Sequence, residues 1–218
     1  MKKPAPLAKI GIRAAKKAAQ PENILAAALE AFGEKGFSGT RMEDVAAKAG
    51  ITKGAIYLYF PSKQALLEAL ARRDIAPFLS ALASQISAYE GPVEPMLRQI
   101  ATAALGFMEQ GALPTYARII ISEARNFPEI ARFHLTEIVS VVLGALSDFL
   151  KRAMARGEMR AMEPEIAARL FAAPLIKTLF WRITFSAVET EPYDAAKFLD
   201  AHVGVYMRGM APETGATP

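Results

Sequence analysis

The chain has no cysteine. Disulfides, thiolate metal sites and cysteine nucleophiles are thereby excluded, and a reducing compartment suits the composition. Histidine is nearly as scarce: His134 and His202 are the two in the chain, far apart and without the spacing of a metal site or a catalytic triad. There is no Gly-rich phosphate loop, no G-x-S-x-G and no paired-carboxylate motif. Glu123, Arg125 and Glu137 remain as acid–base candidates, of a kind that surface helices supply routinely. No enzymatic activity, metal or cofactor is therefore expected. No run of about 18 uninterrupted apolar residues occurs, so neither a transmembrane helix nor a membrane partner is expected. The Lys-rich start lacks the apolar core of a secretory signal. Together these absences set the expectation of a cytoplasmic protein. Strand-like alternation and internal repeats are missing as well, which leaves an all-α fold.

Helical periodicity is what the chain does have, and its most specific stretch is T-R-M-E-D-V-A-A-K-A-G-I-T-K-G-A-I-Y-L-Y-F-P-S-K, from Thr40 to Lys63. It reads as two short helices joined by a tight turn. Thr40 is expected to cap the first, with Glu43 reaching back to the cap. Val45, Ala46 and Ala49 form its inner face, and Gly50 sits where a left-handed residue ends a helix. Thr52 starts the second helix, expected over Lys53–Tyr59, with Ile56 and Phe60 turned inward. Thr52, Lys53, Gly54, Tyr57 and Tyr59 are left for the outside. Such a hairpin is the helix-turn-helix pattern, whose second helix enters the major groove of DNA. An ordinary helical hairpin fits the same spacing. Upstream, Ile24, Leu25, Ala28, Leu29 and Phe32 mark a supporting helix; downstream, Pro61-Ser62 opens another.

The order Ala28, Phe32, Gly36, Phe37, Thr40, then Ala46, Ala49, Gly50, Ile51, Thr52, Gly54, Ile56, Tyr57, Tyr59, Phe60, Ser62, Lys63 and Leu66 closely resembles the N-terminal domain of the tetracycline-repressor (TetR/AcrR) family. The match covers about a quarter of the chain. It implies a DNA-binding transcriptional regulator, a repressor released from a palindromic operator by a small ligand. It also implies a homodimer through the last two long helices, expected at about Glu163–Phe185 and Pro192–Gly209, with Leu199 and Val203 as contact positions. On mechanism, Thr40 and Lys63 are assigned to phosphate, and Tyr57 and Tyr59 to the backbone. Lys53 and Thr52 are assigned to base edges, Gly54 to close approach, and Leu58 to a thymine methyl. Arg41 joins this set. A helical small-molecule or partner-binding protein, whose hairpin makes protein contacts, is the competing reading.

Residues 1–73 hold 13 Lys+Arg against 6 Asp+Glu, a net +7, whereas residues 74–218 hold 13 against 16, a net −3. The basic excess thus lies on the side of the motif, as phosphate contact requires. Residues 1–20 carry Lys2, Lys3, Lys9, Arg13, Lys16 and Lys17 and no acid, and read as a flexible basic arm. The expected organisation is that arm, a helix-turn-helix domain over 21–67, and a helical ligand-binding and dimerisation domain over 68–218, with about nine helices in all. Pro77 is expected to mark a bend. Phe78, Phe107, Met108, Tyr116, Ile120, Phe133, His134, Phe171 and Trp181 are candidates to line a cavity for a small-molecule effector, although aromatic and Met stripes also make plain core.

Overall fold

A computed structural model of the chain describes residues 20–109, 111–191 and 194–212. The arm expected over residues 1–20 falls, but for Gln20, outside the described residues, as does the start of the last helix at Pro192. Among the described residues all regular structure is helical, as expected, in ten helices: α1 (Gln20–Gly39), α2 (Met42–Lys48), α3 (Lys53–Ile56), α4 (Lys63–Asp74), α5 (Ala76–Ala88), α6 (Val93–Met108), α7 (Leu113–Glu123), α8 (Pro128–Ala155), α9 (Pro164–Phe185) and α10 (Ala195–Gly209). They form two compact units divided between Leu70 and Ala71, within α4.

The first unit is built on α1, which buries Ile24, Leu25, Ala28, Ala31 and Phe32 along one stripe. Gly36 interrupts it with φ 70 and ψ 172, a conformation that costs glycine little. The break turns Phe37 back onto Phe32, with ring centroids 5.4 Å apart. Helix α2 packs against α1, and α3 against α2. Gly50 has φ 67 and makes the sharp turn between α2 and α3. Helix α3 is one turn long, not two. Its direction continues through non-helical turns, with Tyr59 N and Phe60 N donating to Ile56 O at 3.0 and 2.9 Å.

In the second unit α5 and α9 pack on α8, α10 on α6, and α9 touches α6, α7 and α10. Phe149, Phe171, Leu97, Ile86 and Val203 lie at the centre of its core. Pro77 lies in the first turn of α5, where a proline fits, and does not bend a helix. Helix α8 is α-helical over Pro128–Phe133, π-helical over His134–Val139 and α-helical again over Ser140–Ala155. It contains an 18-residue stretch with mean hydropathy 1.5, of which 28% is buried. By length and composition it is the one helix among the described residues long and apolar enough to cross a membrane; Glu137 and Asp148 interrupt its apolar run.

Helix α9 is apolar on opposite sides. Ala167, Phe171, Leu175 and Thr178 are buried in its own unit, whereas Ile166, Leu170, Ile176 and Phe180 are exposed. At 3.6 residues per turn these sets face away from each other. On α10, Leu199 and Val203 are 2% and 0% exposed within this core. That corrects their assignment to a subunit contact: they hold α10 onto α6, and Val205 is the exposed large apolar residue of that helix. Tyr206 Oη donates to Ala167 O (3.0 Å) and His202 Nε2 lies 3.0 Å from Phe171 O, tying α10 to α9 just before Pro174. Burial pushes the Tyr206 phenol up to about 12.

Candidate nucleic-acid interface

Thr52 caps α3: its side chain accepts from Ala55 N at 3.3 Å, satisfying one of the otherwise free donors of a helix start. Ile56 is wholly buried and anchors the segment from beneath. With the cap and the anchor fixed, Thr52, Lys53, Gly54, Tyr57 and Leu58 are exposed together, Leu58 at 85%. A large apolar side chain that open to solvent, in the turn just after a one-turn helix, has no packing role within the unit. Tyr59 is half-buried. This surface offers a hydroxyl, an ammonium, a phenol and an apolar group, with Gly54 adding no bulk between them. Those are the chemistries that read base edges and thymine methyls in a groove.

The cap of α2 is shifted by one residue from its expected position. Arg41 is the cap residue, and Arg41 N donates to Asp44 Oδ2 at 2.8 Å. Thr40 is 1% exposed. Its hydroxyl points at Ala31 O (3.1 Å) and Gly36 O (2.7 Å), two carbonyls at the broken end of α1. The side chain of Thr40 is therefore no phosphate donor. Lys63 is also turned inward: Nζ donates to Phe37 O at 2.5 Å, lies 3.4 Å from Ser38 O, and sits 4.6 Å over the Phe37 ring. Its ammonium holds the end of α1. Ser62 caps α4, accepting from Ala65 N at 3.1 Å.

Among the described residues of this unit, most of the remaining cations are paired with carboxylates. Lys53 Nζ pairs with Glu43 at 2.6 Å, Lys35 with Asp44 at 2.6 Å, and Lys48 with Glu30 and Glu34 at 3.0 Å each. The hydrogen bond from Lys53 holds the Glu43 carboxyl below its ordinary range, and Lys35 does the same for Asp44. Lys53 and Lys48 are raised by their carboxylate partners. Arg41 is exposed and forms no ion pair among the described residues.

The effector candidates do not converge. Phe78 and Phe107 stack at 4.0 Å and 7°, both half-buried, and Met108 lies in the same core. Tyr116 is buried, with Oη 3.2 Å from His134 Nδ1; burial lowers the His134 imidazole. Phe133 is buried under the Arg72 guanidinium at 4.7 Å, and Ile120 is half-buried. Phe171 is core, packed on His202 and Tyr206. Trp181 donates from Nε1 to Glu189 at 2.8 Å and lines a cleft of about 250 Å³ with Glu109, Arg182 and Asp194. A cleft of about 300 Å³ between α8 and α9, flanked by Ser140, Gly144, Asp148 and Arg169, contains none of the expected residues. Its lining mixes Leu135, Val139 and Leu143 with small and polar residues and carries no aromatic signal in the sequence. No group of three or more His, Cys, Asp or Glu suited to a metal occurs among the described residues.

Residues 24–70 match the family described as bacterial regulatory proteins, tetR family, and residues 95–209 match the AefR-like transcriptional repressor C-terminal domain. The HTH-type transcriptional regulator RutR of Escherichia coli (strain K12) is 30% identical over 130 residues, which is 60% of this chain and 53% of that protein. The chain thus spans about half the length of the curated relative it matches. Among solved structures, NalD, the secondary repressor of the MexAB-OprM multidrug efflux pump in Pseudomonas aeruginosa, is similar with a TM-score of 0.74 at 22% identity, covering 89% of this chain and 98% of that one. The regulator FadR from Bacillus subtilis, in complex with stearoyl-CoA, is similar with a TM-score of 0.71 at 18% identity, covering 87% and 98%. At such identities the likeness extends to the fold alone.

Proposed function

The chain belongs to the tetR family of bacterial regulatory proteins, and we propose that it is a cytoplasmic transcriptional repressor that binds a palindromic duplex operator as a homodimer and is released by a small ligand. The observation that carries this reading is the Thr52-capped segment, anchored by Ile56 and presenting Thr52, Lys53, Gly54, Tyr57 and Leu58 outward. Lys53 and Thr52 are the base-edge readers, Leu58 meets a thymine methyl, and Tyr57 and Tyr59 fix the register against the backbone. Arg41 takes a phosphate.

The exposed stripe Ile166, Leu170, Ile176 and Phe180 on α9, with Val205 on α10, supports a second copy as the partner. A helix that is apolar on opposite faces needs cover on both, and an obligate interface of this kind buries about 2,000 Å² or more. Two-fold pairing sets the spacing of the two recognition segments, which must match successive major grooves. An apolar or amphipathic effector acts if it prefers a body conformation that spaces those segments wrongly. A preference of about 100-fold, or ~2.7 kcal/mol of coupling, relieves repression substantially.

Selection from a random duplex pool tests the reading. It predicts recovery of a two-fold symmetric sequence, and loss of preference at one position per half-site when Lys53 becomes alanine. Recovery of no enriched sequence from the full chain, with the hairpin instead capturing a protein, would favour the competing reading.

A further inference from the structure

Three charged side chains of the cleft between α8 and α9 form no ion pair among the described residues: Asp148 on α8, and Glu165 and Arg169 on α9. They leave its lining with a net −1, beside the apolar Leu135, Val139 and Leu143. The cleft at Trp181 differs in this respect. There Arg182 pairs with Glu109 at 3.0 Å and Glu189 accepts from Trp181 at 2.8 Å, so these polar groups already have partners. On the α8 side, Leu135 and Val139 belong to the π-helical turn, and Ser140 Oγ closes that turn on Leu135 O. Such turns are wide, rare and found mostly at functional sites. Leu135 is 57% exposed. One turn further on, a β-carbon at Gly144 would meet no atom of another element within 4 Å.

We infer that this cleft seats the small ligand and takes an amphipathic organic cation, with its apolar body on Leu135, Val139 and Leu143 and its ammonium facing Asp148 and Glu165. The inference rests on the proposal that a small ligand releases the chain from DNA. The sign of the ligand follows from the lining. A cation beside two unpaired carboxylates gains from both, and Arg169 offsets only part of that gain. An anion meets a surface of its own net sign. A volume of about 300 Å³ lies at the lower end for ligand pockets, which suits a compact molecule. The same turn also reaches α4, the helix that crosses the division between the units. Glu137 lies 3.6 Å from Arg72 of α4, whose guanidinium sits 4.7 Å over the Phe133 ring. An occupant that binds one register of the π-helical turn better than another shifts the turn toward it, and Glu137 moves with the turn.

The test uses octyltrimethylammonium below its micelle range, with octan-1-ol and octanoate as neutral and anionic probes of similar apolar length. Calorimetry on the full chain without DNA should find a saturable site for the ammonium, with octanoate weaker by about tenfold or more. Asp148→Asn combined with Glu165→Gln should weaken the ammonium by about fivefold to tenfold, as two part-exposed charge contacts allow, and leave octan-1-ol unmoved. Gly144→Leu fills the cleft and should weaken ammonium and octan-1-ol alike by about tenfold or more. Leucine suits a helix better than glycine; should that variant nevertheless fail to fold by circular dichroism, the double charge variant carries the test. Ammonium binding unchanged in either folded variant, octanoate bound as tightly, or no saturable ammonium site below about 1 mM overturns the inference. Operator release by a ligand indifferent to these variants also overturns it, while leaving the proposed function intact. An ammonium seated in the cleft that leaves operator affinity unchanged overturns its role as effector. A chain that binds no duplex at all overturns the proposed function instead.

Discussion

Replacing Lys63 by methionine separates two roles that the sequence and the structure assign to the same ammonium. The apolar stem is largely kept, but Phe37 O loses a donor at 2.5 Å, and the charge 4.6 Å above the Phe37 ring disappears. A hydrogen bond from a charged donor is worth about 1.5–3 kcal/mol and an exposed cation–π contact about 0.5–1 kcal/mol. Lys63 is half-buried, so solvent takes back part of this, and the net loss expected is about 2 kcal/mol. If the chain melts cooperatively, that is about 4–8 °C in Tm. Urea unfolding of K63M, F37L and the double variant should return a coupling of about 1 kcal/mol between the two side chains. The salt slope of DNA binding should stay at the wild-type value, because this ammonium is not released to phosphate. Stability within about 0.5 kcal/mol of wild type, together with a slope smaller by about one unit, would refute this and restore Lys63 to the phosphate contacts.

Glutamate at Leu170 and Phe180, on the exposed face of α9, should give a folded monomer in light scattering and weaken operator binding by about 10²-fold or more through lost bivalency; a dimer with intact affinity would move the interface elsewhere. Glutamate at Val203, by contrast, buries an unpaired charge in the core that holds α10 and should destabilise the second unit by several kcal/mol, and a stable monomer there would reverse the assignment of the two faces. Burial holds the His134 imidazole below its ordinary value of 6.5, so the unfolded chain takes up the proton more readily. The stability it carries is full above about 6.5 and falls as pH drops toward the folded value. Urea unfolding at about pH 8 and about pH 5 should show a loss that His134→Gln lacks, and the same loss in both proteins would remove His134 from the account.

The recognition segment is legible in the sequence because its determinants are local. A glycine at φ 67, a threonine cap three residues before Ala55 N, and Ile56 on the inner side are each set by spacing. The cap of α2 is not legible, because T-R-M-E-D offers two registers, Thr40 with Glu43 and Arg41 with Asp44. The choice is made by tertiary structure: Gly36 breaks α1, and the carbonyls at that break take the Thr40 hydroxyl and the Lys63 ammonium. Periodicity likewise announces that α9 is apolar on more than one side without saying which side meets its own core. On α10 that ambiguity puts Leu199 and Val203 on the wrong surface. The π-helical turn at His134–Val139, where Ser140 Oγ donates to Leu135 O at 2.5 Å, has no signature in a 3.6-residue pattern. A summed charge over residues 1–73 hides the near-neutral folded unit, because the neutralising pairs Lys53–Glu43 and Lys48–Glu34 join different helices.

The central claim, two recognition segments held by a two-fold dimer on one duplex, is tested most directly by the stoichiometry and footprint of the complex on the selected operator. Light scattering should give two protomers per minimal duplex, and hydroxyl-radical cleavage should protect two equivalent half-sites centred about 10–10.5 base pairs apart or a multiple of it. Saturation by a single protomer with one asymmetric protected patch would contradict the account.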